Sequence, residues 1–367
     1  TATLWSVETG QILATLDHGD AKAVNGVAFG QGGNLLVTAA SDGLRQWSGE
    51  TFKLVSRTEI DQSSSEPATF SSDGSLLLTA DDDGQTSIWN VETNQLIGRP
   101  MKRGSRAQFS LDNRMLVTGL ERKVHVWSTD DGRRLWEGEH YGRITSVSFD
   151  TDGEFVLTAS EDGTARVWSA QDGTPQTDPL QHGCRVLAGA FHPRGESFVT
   201  VDQLGFIRHW STRTGELLTR PARFDPFSDY AQTNVAFRED GQRLMVSPFV
   251  SAAFELDTSN LQPFAPLLRI VKPDGTGGFN VAINHNGKRA VTGGWLGQLG
   301  LWSLETGKPL GELLGYGRIW EITHSPTGPY FIASTHIGNK AFKATEDQLV
   351  EVATLTGAGG AVAFSPG

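Results

Sequence analysis

A single cysteine, Cys184, leaves this chain of 367 residues without an internal disulfide or a cysteine-based zinc cage. Basic residues are outnumbered, 31 Lys and Arg against 42 Asp and Glu. The formal charge of −11 is the wrong sign for a general nucleic-acid binder, whose phosphate contacts need a basic face. No apolar run approaches the roughly 18 to 20 residues that span a bilayer as a helix, so no membrane partner is expected. The first residues, TATLWSVETG, lack the basic-then-apolar layout of a secretory signal, and the expected location is the cytoplasm. Catalytic signatures are missing too: HExxH, G-x-S-x-G, a P-loop and EF-hand spacing do not occur. No metal or cofactor is expected. Cys184 reads as a small packed thiol, and the acidic run Asp81-Asp82-Asp83 as a solvated hairpin turn.

What the chain has in quantity is glycine and tryptophan, 43 and 10 residues, and the tryptophans recur. Trp5, Trp47, Trp89, Trp127, Trp168, Trp210 and Trp302 stand about forty residues apart in segments such as RVWSAQDG and GLWSLETG, a period that marks a repeat architecture. Phe254 and Phe342 are read as filling the same slot in two weaker copies. Residues 140 to 182 show the unit best. Ile144 to Phe149 alternates with the period of a half-buried strand, DTDG turns the chain, and Phe155 to Ala159 is a second, more apolar strand. SEDG turns again, Thr164 to Trp168 is a third strand, and AQDG leads to a short fourth near Thr177 to Leu180. Asp-Gly pairs suit such turns because both residues tolerate positive φ. A sheet this small cannot bury both faces alone, whereas copies stacked on one another can, with each indole between neighbouring sheets.

On these motifs, in the order VSFDTDG, VLTASEDG and RVWSAQDG, the chain resembles the WD40-repeat β-propeller family over essentially its whole length. The resemblance implies an all-β fold with eight complete four-stranded repeats and partial strands at both termini, making eight or nine blades in one domain over 1–367. The usual Trp-Asp pair is mostly Trp-Ser here. The family's His and turn Asp survive together with Trp in two repeats, as His18, Asp42 and Trp47 and as His140, Asp162 and Trp168. Those two blades are expected to be the stiffest. His182 and Asp83 are partial matches.

Residues 1–17 supply an extra third and fourth strand, and 358–367, ending in AVAFSPG, an extra first strand. The neighbour missing from AVAFSPG is a second strand. Either the ends meet in an incomplete composite blade or the chain is an excerpt of a longer array, and the excerpt is the reading favoured.

One surface pattern stands out. Arg103, Arg143, Arg185 and Arg318 occupy one repeat position just before the first strand, which by the family's geometry lies on the face around the channel mouth. Tyr141, Tyr316 and Trp320 lie beside them, and Arg with aromatics is the composition of interaction hot spots. The sequence therefore points to a non-catalytic scaffold whose face receives other proteins or peptides, acidic or phosphorylated, or further domains of its own chain. The competing expectation for the arginines is that each pairs with an acidic turn residue such as Glu161 or Asp162. Two other functional classes are weighed: a sensing module of a larger kinase or NTPase switch, and a propeller enzyme. The irregular stretches 220–234 and 260–280 are read as flaps covering a weak blade, with binding as the alternative.

Overall fold

A computed structural model describes residues 1–19, 24–30, 33–40, 43–58, 69–80, 85–102, 106–224, 234–238, 240–247, 254–263, 279–284, 288–294, 297–306, 308–325, 327–355 and 362–365. Among them there is no α-helix. Antiparallel strands form seven four-stranded sheets, one three-stranded sheet and one two-stranded sheet, each ordered as in the sequence. The strands of each sheet are called a to d. The chain forms two compact units, Thr1–Leu96 with Gly277–Gly367, and Ile97–Thr276.

Within the second unit, the blade of Ile144–Phe149, Phe155–Ser160, Thr164–Ser169 and Leu180–Gln181 follows the expected grammar. Strands b and c are the most deeply buried, in keeping with their central place. Six of the seven repeated indoles are anchored by a strand-b threonine. Trp47, Trp89, Trp127, Trp168, Trp210 and Trp302 donate Nε1–H to the Oγ1 of Thr38, Thr79, Thr118, Thr158, Thr200 and Thr292 at 2.6 to 3.0 Å. Burying an indole without such an acceptor would cost the desolvation of its N–H, so the threonine near the end of strand b is coupled to the Trp. The indoles do lie between sheets: the ring of Trp168 packs on Trp136 of the preceding blade, centroids 6.0 Å apart.

The weak repeat is corrected by register. Phe198 pairs with Trp210, and in the next blade Leu244 pairs with Leu256, not with Phe254, which stands opposite Val246. Thr258 N–H bonds the Gln242 carbonyl as Thr212 N–H bonds that of Glu196, fixing the equivalence. Leu256 therefore fills the Trp slot. Residues two apart in a strand share a face, so a period-two reading cannot tell Phe254 from Leu256. Val246 stands where the blades with an indole have their threonine, and an aliphatic slot needs no hydroxyl. Among the described residues this blade shows three strands, Asn234–Phe237, Arg243–Ser247 and Phe254–Asp257, and a single bridge, Leu256 to Pro263, marks the place of strand d. Phe342 does hold its slot, opposite Phe331.

In the first unit the N-terminal strands pair as expected, Ala2–Trp5 with Ile12–Leu16. At the expected terminal strand, the described residues Val362–Ser365 carry no sheet pairing.

One close approach recurs along the chain. In several a-to-b turns the glycine lies against the residue just after strand a of the preceding blade, as Gly195 does on Asp150 and Gly241 on His192. Gly241 adopts φ +70°, and a Cβ there would come within 2.0 Å of His192 Nε2. Gly241→Ala is expected to cost about 2 kcal/mol through left-handed strain and displacement of the imidazole, read as a lowered denaturation midpoint. An unchanged midpoint would show that the turn relaxes freely.

Candidate functional site

The buried polar centre of the best-formed blade is a relay. His140 Nδ1–H donates to Asp162 Oδ2 at 3.2 Å, and His140 Nε2 meets Thr158 Oγ1 at 2.7 Å. The threonine in turn accepts from Trp168 Nε1–H at 2.9 Å. Burial pushes the imidazole below its ordinary range, so it is neutral and its Nε2 accepts the threonine proton. Burial alone would raise Asp162, but the Thr164 hydroxyl, the Tyr141 and Thr164 backbone N–H groups and His140 outweigh it and hold it at about 2.

Two further repeats vary this theme. His182 donates from Nδ1 to the Leu180 carbonyl and meets Thr200 through Nε2 at 2.7 Å, a relay that the partial sequence match did not include. His18 meets Thr38 in the same way, and the buried Arg45 bonds both the His18 carbonyl and its Nδ1. Asp42 and Asp83 lie outside the described residues, as does the run Asp81 to Asp83.

The carboxylate that holds His140 also accepts from the Tyr141 backbone N–H at 2.9 Å. This pins a loop whose side chain points outward: Tyr141 is 85% exposed. Arg143, next in the loop, reaches Glu121 of the preceding blade at 3.6 Å, and Arg185 reaches Glu161 at 3.4 Å. The two arginines hold one backbone position, each accepting at its carbonyl from the b-to-c turn, from Glu161 N–H and Gln203 N–H. Arg318 does the same with His336 N–H. The repeat position read from sequence is thus one structural position, and the expected acidic pairing is present at two of its members. Both side chains of the Arg143 pair are more than half exposed, and such pairs contribute only about 0 to 1 kcal/mol.

The aromatic partners divide. Tyr316 is half-buried and engaged within its own blade: its hydroxyl donates to Glu351 at 2.7 Å, its ring packs on Phe342, and Lys340 Nζ lies 4.9 Å from its centroid. Burial and the neighbouring Glu351 push its phenol well above the ordinary range. Arg103 and the side chain of Trp320 lie outside the described residues, as do most of 220–234 and 260–280.

Three buried polar clusters carry no motif that the sequence displays. Asp202, fully buried, holds Arg208 and the N–H groups of Leu204 and Phe206. It ties the b-to-c turn from two residues earlier than Asp162 does in its blade, and it bonds Arg208 in place of the imidazole. Glu255, raised by burial, lies between Arg238 and Arg243 at 3.3 and 3.8 Å. His192 and His209 face Phe237. All three are intramolecular pairings, and no group of three or more metal-ligating side chains occurs among the described residues.

The blades define the class of protein. Likeness to solved structures at low identity shows a β-propeller fold: the computationally designed Ika8 protein shares 18% identity at TM-score 0.64, covering 91% of this chain and 97% of that one. The β-propeller domain of Cps50 (Swd1) from Myceliophteria thermophila shares 15% at TM-score 0.54, covering 76% of this chain and 96% of that one. More particularly, the family profile described as WD domain, G-beta repeat matches residues 10–48, 67–90 and 134–169. A curated relative, the APC/C activator protein CDC20 of Saccharomyces cerevisiae, is 26% identical over 168 residues, which is 42% of this chain and 26% of that protein. The chain thus matches about a quarter of that relative's length.

Proposed function

We propose that the chain is a non-catalytic protein-binding scaffold whose loop from His140 to Arg143, with Arg185 beside it in the repeat, receives an acidic or phosphorylated segment of another protein. The observation that carries this is Tyr141, an 85% exposed aromatic whose backbone is held by a buried carboxylate. A rigid exposed tyrosine loses little entropy on binding, and the adjacent guanidinium offers the planar donors that carboxylate and phosphate accept. The exposed Arg–Glu contacts do not remove these arginines from use, because a bidentate anion competes well with a water-screened pair. CDC20 is by its name an activator of another assembly, which supports a protein as the partner class.

The test is an array of acidic peptides and their Ser- or Thr-phosphorylated forms, read with the wild type and with Tyr141→Ala/Arg143→Glu. The expected result is a bound subset whose affinity falls at least about ten-fold in the variant, with the melting temperature unchanged, as loss of one hot-spot residue implies. Peptides held equally by both proteins, or none bound at all, would reject the assignment.

A further inference from the structure

Two neighbouring blades of the second unit make their b-to-c turns with the same backbone and a different residue at the tip. Gly163 N–H bonds the Ser160 carbonyl as Gly205 N–H bonds that of Asp202, and Glu161 N–H bonds the Arg143 carbonyl as Gln203 N–H bonds that of Arg185. Asp162 and Leu204 therefore hold one turn position. In the first turn this position carries the carboxylate that meets His140 and the Tyr141 N–H. In the second, the carboxylate belongs to Asp202, which is fully buried and accepts from Leu204 N–H and Phe206 N–H at 3.0 Å. The tip is thereby released from anchoring the turn, and it carries a leucine that is 46% exposed.

A lone exposed leucine is ordinary on a protein surface. Here the exchange recurs. In the first unit, His336 N–H bonds the Arg318 carbonyl, which puts Ile337 at the tip of its own b-to-c turn. The anchor is again the residue two earlier: Thr335 Oγ1 accepts from Ile337 N–H at 3.3 Å and donates to the Gly338 carbonyl at 2.6 Å. Ile337 is 62% exposed. In both turns an aliphatic side chain is displayed where polar residues prevail, and in both the turn is tied to the backbone of a loop arginine. A side chain displayed on so firmly held a turn loses little freedom on contact.

Charge decides what Leu204 can receive. The half-buried guanidinium of Arg185 lies 3.4 Å from Glu161, so the leucine stands beside a cation whose present partner is an exchangeable carboxylate. Leu204 is one residue beyond the hydrogen bond that joins Gln203 to Arg185, a separation comparable with the roughly 6.5 Å between same-side residues of an extended chain. We infer that Leu204 is a specificity-determining residue of the proposed binding face, and that the extended segment received there carries a large apolar side chain two residues from its acidic or phosphorylated one. The anion meets Arg185 and the apolar group covers Leu204. This inference rests on the protein-binding reading and adds to it the second feature that the partner must have.

The probes are fluorescein-labelled peptides of Gly and Ser with a central Glu-phosphoserine pair and a single Leu walked from three residues before the pair to three after, titrated into the 367-residue protein. Leucine two residues from the anion, on one side, is expected to bind about five-fold more tightly than serine in its place, as burial of the exposed half of Leu204 implies. Leu204→Ser is expected to remove that preference while the dependence on the anion and the melting temperature stay unchanged. Leu204→Met, which keeps an apolar tip, is expected to retain it. Arg185→Gln is expected to weaken every peptide of the series alike. A leucine preference that survives Leu204→Ser overturns the inference, as does the lack of any preference among peptides whose binding Tyr141→Ala/Arg143→Glu weakens; either result leaves the binding face standing. Failure of every peptide to bind rejects the face itself and this inference with it.

Discussion

Trp168→Ala is expected to lower stability by about 4 kcal/mol, with the loss concentrated in two adjacent blades. The ring is buried, packs on Trp136 and lies 6.3 Å from His140. Its removal leaves a cavity lined by Val117, Val124 and Val156, which sit on rigid strands and cannot collapse to fill it. Thr158 also loses its indole donor and keeps only His140 and a weak contact to the Arg166 carbonyl. Thr158→Val isolates that polar part and is expected to cost about 1 to 2 kcal/mol, since it strands both the indole N–H and the imidazole Nε2. Because blades interact with their neighbours, exchange is expected to accelerate in 115–169 well before it does elsewhere. Denaturant midpoints and exchange mapping read the two effects. Uniform acceleration over all blades, or a loss below that of Thr158→Val, would mean that the indole is not the inter-blade wedge.

How far the sequence carried depended on whether one residue did a job alone. Trp302 and Thr292 announce a blade because an indole needs both burial and an acceptor, and few other residues meet both needs. Leu256 announces nothing, since an aliphatic pair with Val246 is common in any strand, and the more visible Phe254 drew the assignment two residues away. The same displacement hid Asp202. A carboxylate can reach its donors from either end of a short turn, so position fails where geometry succeeds. On the surface, the equivalence of Arg143, Arg185 and Arg318 was legible because repeats place residues by counting. Tyr316 was not, because whether a tyrosine faces solvent depends on Glu351 and Lys340, which arrive from strands more than twenty residues further along the chain.

Acid is expected to destabilise this protein in two separate windows, and His182 opens the first. Burial, with Arg208 nearby, depresses its imidazole from 6.5 to about 4, so the folded protein holds it neutral while the unfolded chain protonates it. Its stabilising contribution is complete above pH 6.5 and is lost as pH falls from 6.5 through 4. At about 1.36 kcal/mol for each pH unit crossed between those two values, the loss amounts to about 3 kcal/mol. The carboxylate of Asp162 behaves in the same sense lower down: with a folded value of about 2 against 3.8, its contribution survives to pH 3.8 and disappears below. His140, also depressed by burial, adds to the first window. Denaturant midpoints measured from about pH 7.5 to 4 are expected to fall most steeply between 6.5 and 4. In His182→Gln, which cannot titrate, the slope there is expected to be shallower by about one proton. An equal slope in the two proteins would mean that His182 accepts its proton without leaving Thr200 and Leu180, and that the relay of imidazole, hydroxyl and indole tolerates charge.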